Sequence, residues 1–177
     1  MAQTQDYPPA TLVIAVLLAD FDTLGALEKE LSQHFGPLRR AGAPIPFSYT
    51  QYYQDEMGDA LTRVFLTADE LYPADRLAEA KQLTNRMESS YLYPGAGGRS
   101  VNLDPGLLLP GRFILATTKE AAHRIPLSGG MYAELTLLFQ KGDFRPLPWT
   151  YPDYRSEEYR AILRRIRADY VTRLRRH

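Results

Sequence analysis

Leu12-Val13-Ile14-Ala15-Val16-Leu17-Leu18 is apolar throughout and rich in β-branched side chains. A strand with one wet face alternates apolar and polar residues, whereas a continuous run of this length is the pattern of a strand covered on both faces. Asp22 and Thr23 follow with N-cap oxygens, and Leu24, Leu27, Leu31 and Phe35 then recur at steps of three and four. That spacing predicts an amphipathic helix, stopped by Gly36-Pro37. Next, Phe47, Tyr49, Gln51 and Tyr53 alternate with Ser48, Thr50 and Tyr52, and Leu61 to Thr67 is again β-prone, so two paired strands are expected across a turn near Gly58. Leu77, Ala80, Leu83, Met87 and Tyr91 mark a second helix with Asp75 in its first turn, which runs out before Pro94-Gly95-Ala96-Gly97-Gly98.

The order strand, helix, strand, strand, helix needs one more strand, from Val101 or from Phe113 to Thr117, to complete a ferredoxin-like βαββαβ core with both helices on one face. Arg124 to Leu127 and Tyr132 to Gln140, joined by Ser128-Gly129-Gly130, read as an added hairpin. In its second strand Ala133, Leu135, Leu137 and Phe139 are expected on one face and Tyr132, Glu134, Thr136 and Leu138 on the other. From Phe144 to Tyr154 three prolines exclude a helix and predict an extended surface strap anchored by Trp149 and the tyrosines. Ser156 then caps a last helix whose apolar stripe is Tyr159, Leu163, Ile166, Tyr170 and Leu174. The fold class is thus α/β (α+β) with a mainly antiparallel sheet. Residues 1–142 form the sandwich, and residues 143–177 form a strap and basic helix packed on the same single domain.

The 177 residues carry 21 basic and 21 acidic side chains. The zero is an average, because 13 basic and 18 acidic residues stand up to Tyr154, against 8 and 3 after it. Arg160, Arg164, Arg165, Arg167, Arg173, Arg175 and Arg176 cover the polar faces of the last helix. Such a helix suits nucleic acid, an anionic membrane or an acidic partner. The preferred reading is docking on the acidic body, which includes Asp55, Glu56, Asp59, Asp69, Glu70, Asp75 and Glu79. A chain of this size buries about 70% of its unfolded surface without staples. The absence of Cys removes disulfides, thiol nucleophiles and thiolate metal sites. The apolar run from Leu12 to Ala19 has no basic residue before it and is too short to span a bilayer, so a cytoplasmic protein with no membrane partner is expected.

Several long motifs carry a resemblance. Tyr52-Tyr53 with Glu56-Met57-Gly58, Val101-Asn102-Leu103-Asp104-Pro105-Gly106, Leu115-Ala116-Thr117-Thr118-Lys119, His123-Arg124-Ile125 and Pro148-Trp149-Thr150-Tyr151-Pro152-Asp153-Tyr154 are similar to the signatures of an uncharacterised bacterial and archaeal family, number 4416 among the domains of unknown function. The resemblance covers nearly the whole chain and implies no activity. Where relatives often have Tyr after Asp-Pro-Gly and after His-Arg-Ile, this chain has Leu107 and Pro126.

The densest polar cluster is Thr117, Thr118, Lys119, His123 and Arg124, where two hydroxyls, an ammonium and a guanidinium fork suit a phosphate or carboxylate. Solvated cations on a turn are the alternative. His123, Glu134 and Asp104 are the candidates for acid, base or metal ligand. Asp104 before Pro105-Gly106 is also ordinary turn chemistry, the favoured reading. Glu134, in mid-strand, needs a partner if covered, and Arg124 across the hairpin is the expected one. Tyr49, Tyr52, Tyr53, Tyr132, Trp149, Tyr151 and Tyr154 line a pocket or, the preferred use, pack the tail on the sheet. His34, His123 and His177 have no metal-ligand spacing, and Gly95 to Gly98 lacks the Lys and hydroxyl of a phosphate loop. The best functional expectation is binding of a phosphorylated or anionic small molecule, a nucleotide included. The alternative is an interaction module that holds protein or nucleic acid by its sheet edge or basic helix. Cofactor, oligomeric state and enzymatic activity stay open.

Overall fold

The computed structural model describes residue 3, residues 5–92 and residues 98–175. In chain order its elements are β1 (Ala10–Leu18), α1 (Leu24–Phe35), β2 (Leu38–Arg40), β3 (Ile45–Phe47), α2 (Gln54–Met57), β4 (Leu61–Tyr72), α3 (Leu77–Glu88), β5 (Val101–Leu109), β6 (Arg112–Thr117), β7 (Arg124–Pro126), β8 (Tyr132–Gln140), β9 (Asp143–Pro146), α4 (Pro152–Arg155) and α5 (Glu157–Leu174). The strands make one sheet in the order β2-β4-β1-β5-β6-β8-β7. All pairings are antiparallel, β3 adding to β4 and β9 to β8.

The continuous apolar run sits at the centre of this sheet, and all nine residues of β1 are buried. Its even-numbered side chains, Leu12, Ile14, Val16 and Leu18, pack with Leu24, Leu27 and Leu31 of α1 and with Leu77, Ala80 and Met87 of α3. Val13 and Ala15 point the other way, into Tyr159, Leu163, Ile166 and Tyr170 of α5. The result is three layers, with α1 and α3 on one face, the sheet between, and α5 on the second face. Leu163 is fully buried in the second core. Leu163→Ala is expected to lower stability by about 3 kcal/mol, measured by urea unfolding, because a cavity opens that the stiff sheet cannot collapse into.

Several sequence expectations change. The strand expected over Phe47 to Tyr53 stops at Phe47, and Gln54–Met57 turns into α2. Its alternating aromatics pack edge to face instead, Tyr49 and Tyr53 both on Phe47. The first cap falls on Asp20, whose Oδ1 accepts from the Asp22 N–H, while Thr23 makes no side-chain cap bond. Both candidates for the fourth core strand exist, and Val101–Leu109 is the one paired with β1. The strap is less irregular than its prolines suggest: Asp143–Pro146 pairs as an edge strand, and Pro152 opens the helical turn α4, where its missing N–H costs nothing.

In β8 the ladder with β6 skips a residue, with Phe113 opposite Leu137 and Ile114 opposite Leu135, so Thr136 is a bulge. The bulge breaks the expected alternation: Ala133 packs toward the α1/α3 core, while Leu137 and Phe139 pack toward α5. Glu134, opposite Leu115, therefore shares the α5 face with Leu137.

Helix α5 packs its apolar stripe on the sheet and is capped by Ser156, which accepts from the Tyr159 N–H. Its arginines meet the acidic body chiefly at Asp143 rather than at the seven acids named from the sequence. Arg160 and Arg164 pair with Asp143 and Glu157. Arg167 donates to the Pro110 carbonyl and lies over the Phe139 ring, and Arg173 donates to the carbonyls of Ala68 and Asp69. Asp75 and Glu79, at the start of α3, stand on the other side of the sheet, out of reach of α5. Most of the guanidinium groups proposed for nucleic acid are thus spent inside the fold. No helix among the described residues is long and apolar enough to cross a membrane. Apart from Gly98, the loop expected at residues 94–98 lies outside the described residues, as do Arg176 and His177.

Candidate functional site

Strands β5 and β6 pair only from Gly106–Leu115 to Leu109–Arg112. Pro105 is the next position, and its ring nitrogen has no hydrogen to give a ladder. The two strands part there. Leu103, two residues back on the same edge, would be left with bare backbone groups. Two side chains of α3 supply them: Glu88 Oε1 accepts from the Leu103 N–H at 2.7 Å, and Lys81 Nζ donates to the Leu103 carbonyl at 2.7 Å. Gly106 closes the paired half, since a Cβ there would lie 2.7 Å from the Ile114 carbonyl oxygen.

The parting opens a cleft of about 420 Å³. Phe47, Tyr49, Thr50, Tyr52 and Tyr53 form one wall, Thr117 to Lys119 another lip, and Asp153 and Tyr154 of α4 a third side. On its floor Arg63, 2% exposed, reaches Asp104 at 3.9 Å and Asp153 at 3.5 Å, and donates to the Tyr159 hydroxyl at 3.2 Å and the Ala15 carbonyl at 3.3 Å. Asp104 also accepts from Lys81 at 3.3 Å and from Asn102 at 2.7 Å. Burial pushes the Asp104 carboxyl up, but Lys81 and Arg63, with the hydrogen bonds from Asn102 and Lys81, hold it below the usual carboxylate range. Asp153 goes the other way, because burial outweighs Arg63 and the Tyr154 N–H. Burial is the leading cause of the raised pKa of the phenols of Tyr53, Tyr154 and Tyr159, so all three are protonated donors near neutral pH.

Arg124 and Glu134 stand opposite each other on β7 and β8 and bond Nε to Oε2 at 2.8 Å, as the hairpin reading expected. Glu134 is 1% exposed. His123 Nε2 lies 3.0 Å from the same Oε2, and its ring stacks on Trp149 at 4.9 Å. Arg124 has two further donors in use, to the Lys119 carbonyl and the Tyr151 hydroxyl, at 2.8 and 2.7 Å. Of the residues singled out in the sequence, Asp104, Thr117, Thr118, Lys119 and Glu134 line the cleft, as do Tyr49, Tyr52, Tyr53, Tyr151 and Tyr154 of the aromatic set, while Tyr132 and Trp149 do not. Arg124 and His123 stand behind Glu134 and hold it. Asp104 is not in a turn: it lies inside β5, opposite Ala15. Among the described residues no three His, Asp or Glu are placed to hold a metal ion.

Sequence reasoning passed over Arg63, Lys81, Glu88 and Asp153. Three of them carried a readable sign. Arg63 interrupts the apolar run Leu61 to Thr67, and Lys81 and Glu88 fall seven residues apart on the face of α3 that buries Leu77 and Thr84. A charge at a core position must have a buried partner.

Fold and cleft together define an antiparallel α/β protein with a charged floor under an aromatic wall. Residues 8–170 match the family model described as Domain of unknown function (DUF4416), and the chain belongs to that family. No curated protein and no solved structure matches it.

Proposed function

We propose that the chain binds a small anionic molecule, of which a phosphorylated one fits best, in the cleft where β5 and β6 part. The observation that carries this reading is Lys119. Arg63, Lys81 and Arg99 line the same cleft, and each stands beside carboxylates. Lys119 has no carboxylate at ion-pair distance among the described residues; its ammonium rests on Tyr52, 2.6 Å from the hydroxyl and 4.1 Å from the ring centre. Its backbone is fixed from both sides, the N–H on Thr117 Oγ1 at 3.2 Å and the carbonyl on Arg124. The side chain is therefore the part free to turn toward a ligand, with the hydroxyls of Thr117 and Thr118 beside it. An exposed cation–π contact is weak against charge-assisted bonds to phosphate, so the exchange favours the ligand.

His123 and Arg124 enter this reading as supports of Glu134 and of the Lys119 loop rather than as anion ligands. The order β5-β1-β4-β2 with α1 and α3 on one face supports treating this half as the ferredoxin-like core, and a cytoplasmic setting suits such a ligand.

The test is thermal unfolding with inorganic phosphate and pyrophosphate. A probe at 100 times its dissociation constant stabilises by about 2.7 kcal/mol, roughly 5–10 °C for a chain of this length. Lys119→Met is expected to weaken binding about tenfold while leaving the melting temperature of the free protein within about 2 °C. Absence of any shift with either probe rejects the anion site.

A further inference from the structure

The floor of the cleft requires more of its ligand than charge. Three carboxylates line it, Asp104, Asp153 and Glu134. Carboxylate oxygens only accept, so an anion with no donor of its own has nothing to offer them. The Asp104 side chain keeps 25% of its surface open. Glu134 has Oε2 taken by Arg124 and His123, yet Oε1 is buried without a partner among the described residues, as is the Tyr154 hydroxyl. A buried acceptor of this kind is costly unless a donor comes from elsewhere. The amides of Asn85 and Asn102 lie along the same floor.

A small molecule can bring a charged donor, such as an ammonium, or a neutral one, such as a hydroxyl. Lys81 and Arg63 already stand against Asp104, Arg63 against Asp153 and Arg124 against Glu134. A further positive charge would meet those cations, whereas a neutral hydroxyl donates to the carboxylates without that repulsion. The rings of Phe47, Tyr49 and Tyr53 add a wall for C–H groups. We infer that the ligand is a phosphorylated polyol of the sugar-phosphate class, its phosphate at Lys119, Thr117 and Thr118 and its hydroxyls on Asp104, Glu134 and the asparagine amides. This rests on the anion site proposed above and names the ligand of that site.

Calorimetric titration of the full chain with ribose 5-phosphate, ethyl phosphate, inorganic phosphate and free ribose tests it. Ribose 5-phosphate is expected to bind at least about tenfold more tightly than ethyl phosphate, the gain of two or three hydroxyl hydrogen bonds. In NMR spectra the side-chain amide signals of Asn85 and Asn102 should shift with ribose 5-phosphate and stay in place with ethyl phosphate. Equal affinities for ribose 5-phosphate and ethyl phosphate overturn the polyol assignment and leave the anion site standing. Silence from all four probes overturns both.

Discussion

Arg63→Met is expected to lower the stability of the fold by about 3–5 kcal/mol, the cost of breaking a buried ion pair by removing one partner. The guanidinium lies under the cleft with 2% of its surface exposed and stands between Asp104 and Asp153. Burial acts to discharge it, but Tyr159, Tyr154, Asp104 and Asp153 more than reverse that, so it is charged at any pH at which the protein folds. Methionine fills much of the volume but leaves Asp153 buried without its cation and the Ala15 carbonyl and Tyr159 hydroxyl without their donor. Urea unfolding of Arg63→Met, Asp153→Asn and the double variant gives the coupling. A double variant more stable than Arg63→Met alone is the expected result. A cost under about 1 kcal/mol for Arg63→Met means that the arginine is not the keystone of the floor.

Asp104→Asn is the second large effect, about 2–3 kcal/mol near neutral pH, less than a fully buried pair because a quarter of the side chain is open. Its pH dependence separates charge from packing. Asp104 is held below the usual carboxylate range, so its stabilising contribution is fully present above about pH 4, the unfolded value, and is lost as pH falls through the lower folded value. The gap between wild type and Asp104→Asn should therefore be constant from neutral pH down to about pH 4 and shrink below it. Asp153 has the opposite sign. Its folded pKa is raised, so ionising it works against the fold as pH rises, and Asp153→Asn should cost less than Asp104→Asn near neutral pH. Unfolding curves over a series of buffers read both. A gap for Asp104→Asn that stays constant into acid would assign its cost to shape.

The elements that periodicity could reach were legible. Leu24, Leu27 and Leu31 mark their helix because a buried stripe must repeat at the helical step, and all three are buried. Tyr159, Leu163, Ile166 and Tyr170 do the same for α5. The aromatic run after Phe47 misled because alternation of large rings is equally satisfied by edge-to-face packing in a loop. For the site, the pair Arg124–Glu134 was readable because a short hairpin fixes which residues face each other. Its depth on the α5 face was not, since the bulge at Thr136 depends on how β6 and β8 fit.

By itself the sequence determined the strands β1, β4 and β8 and the helices α1, α3 and α5, that both faces of β1 are covered, and that residues 8–170 carry one family's signatures. These follow from local periodicity and side-chain chemistry, which a chain carries before it folds. Only the tertiary structure decided that Pro105 parts β5 from β6, that Lys81 and Glu88 cross from α3 to serve Leu103, and that Asp104 and Asp153, 49 residues apart in the chain, meet on Arg63. Convergence of that kind is set by which strands lie side by side, and sequence distance carries no record of it.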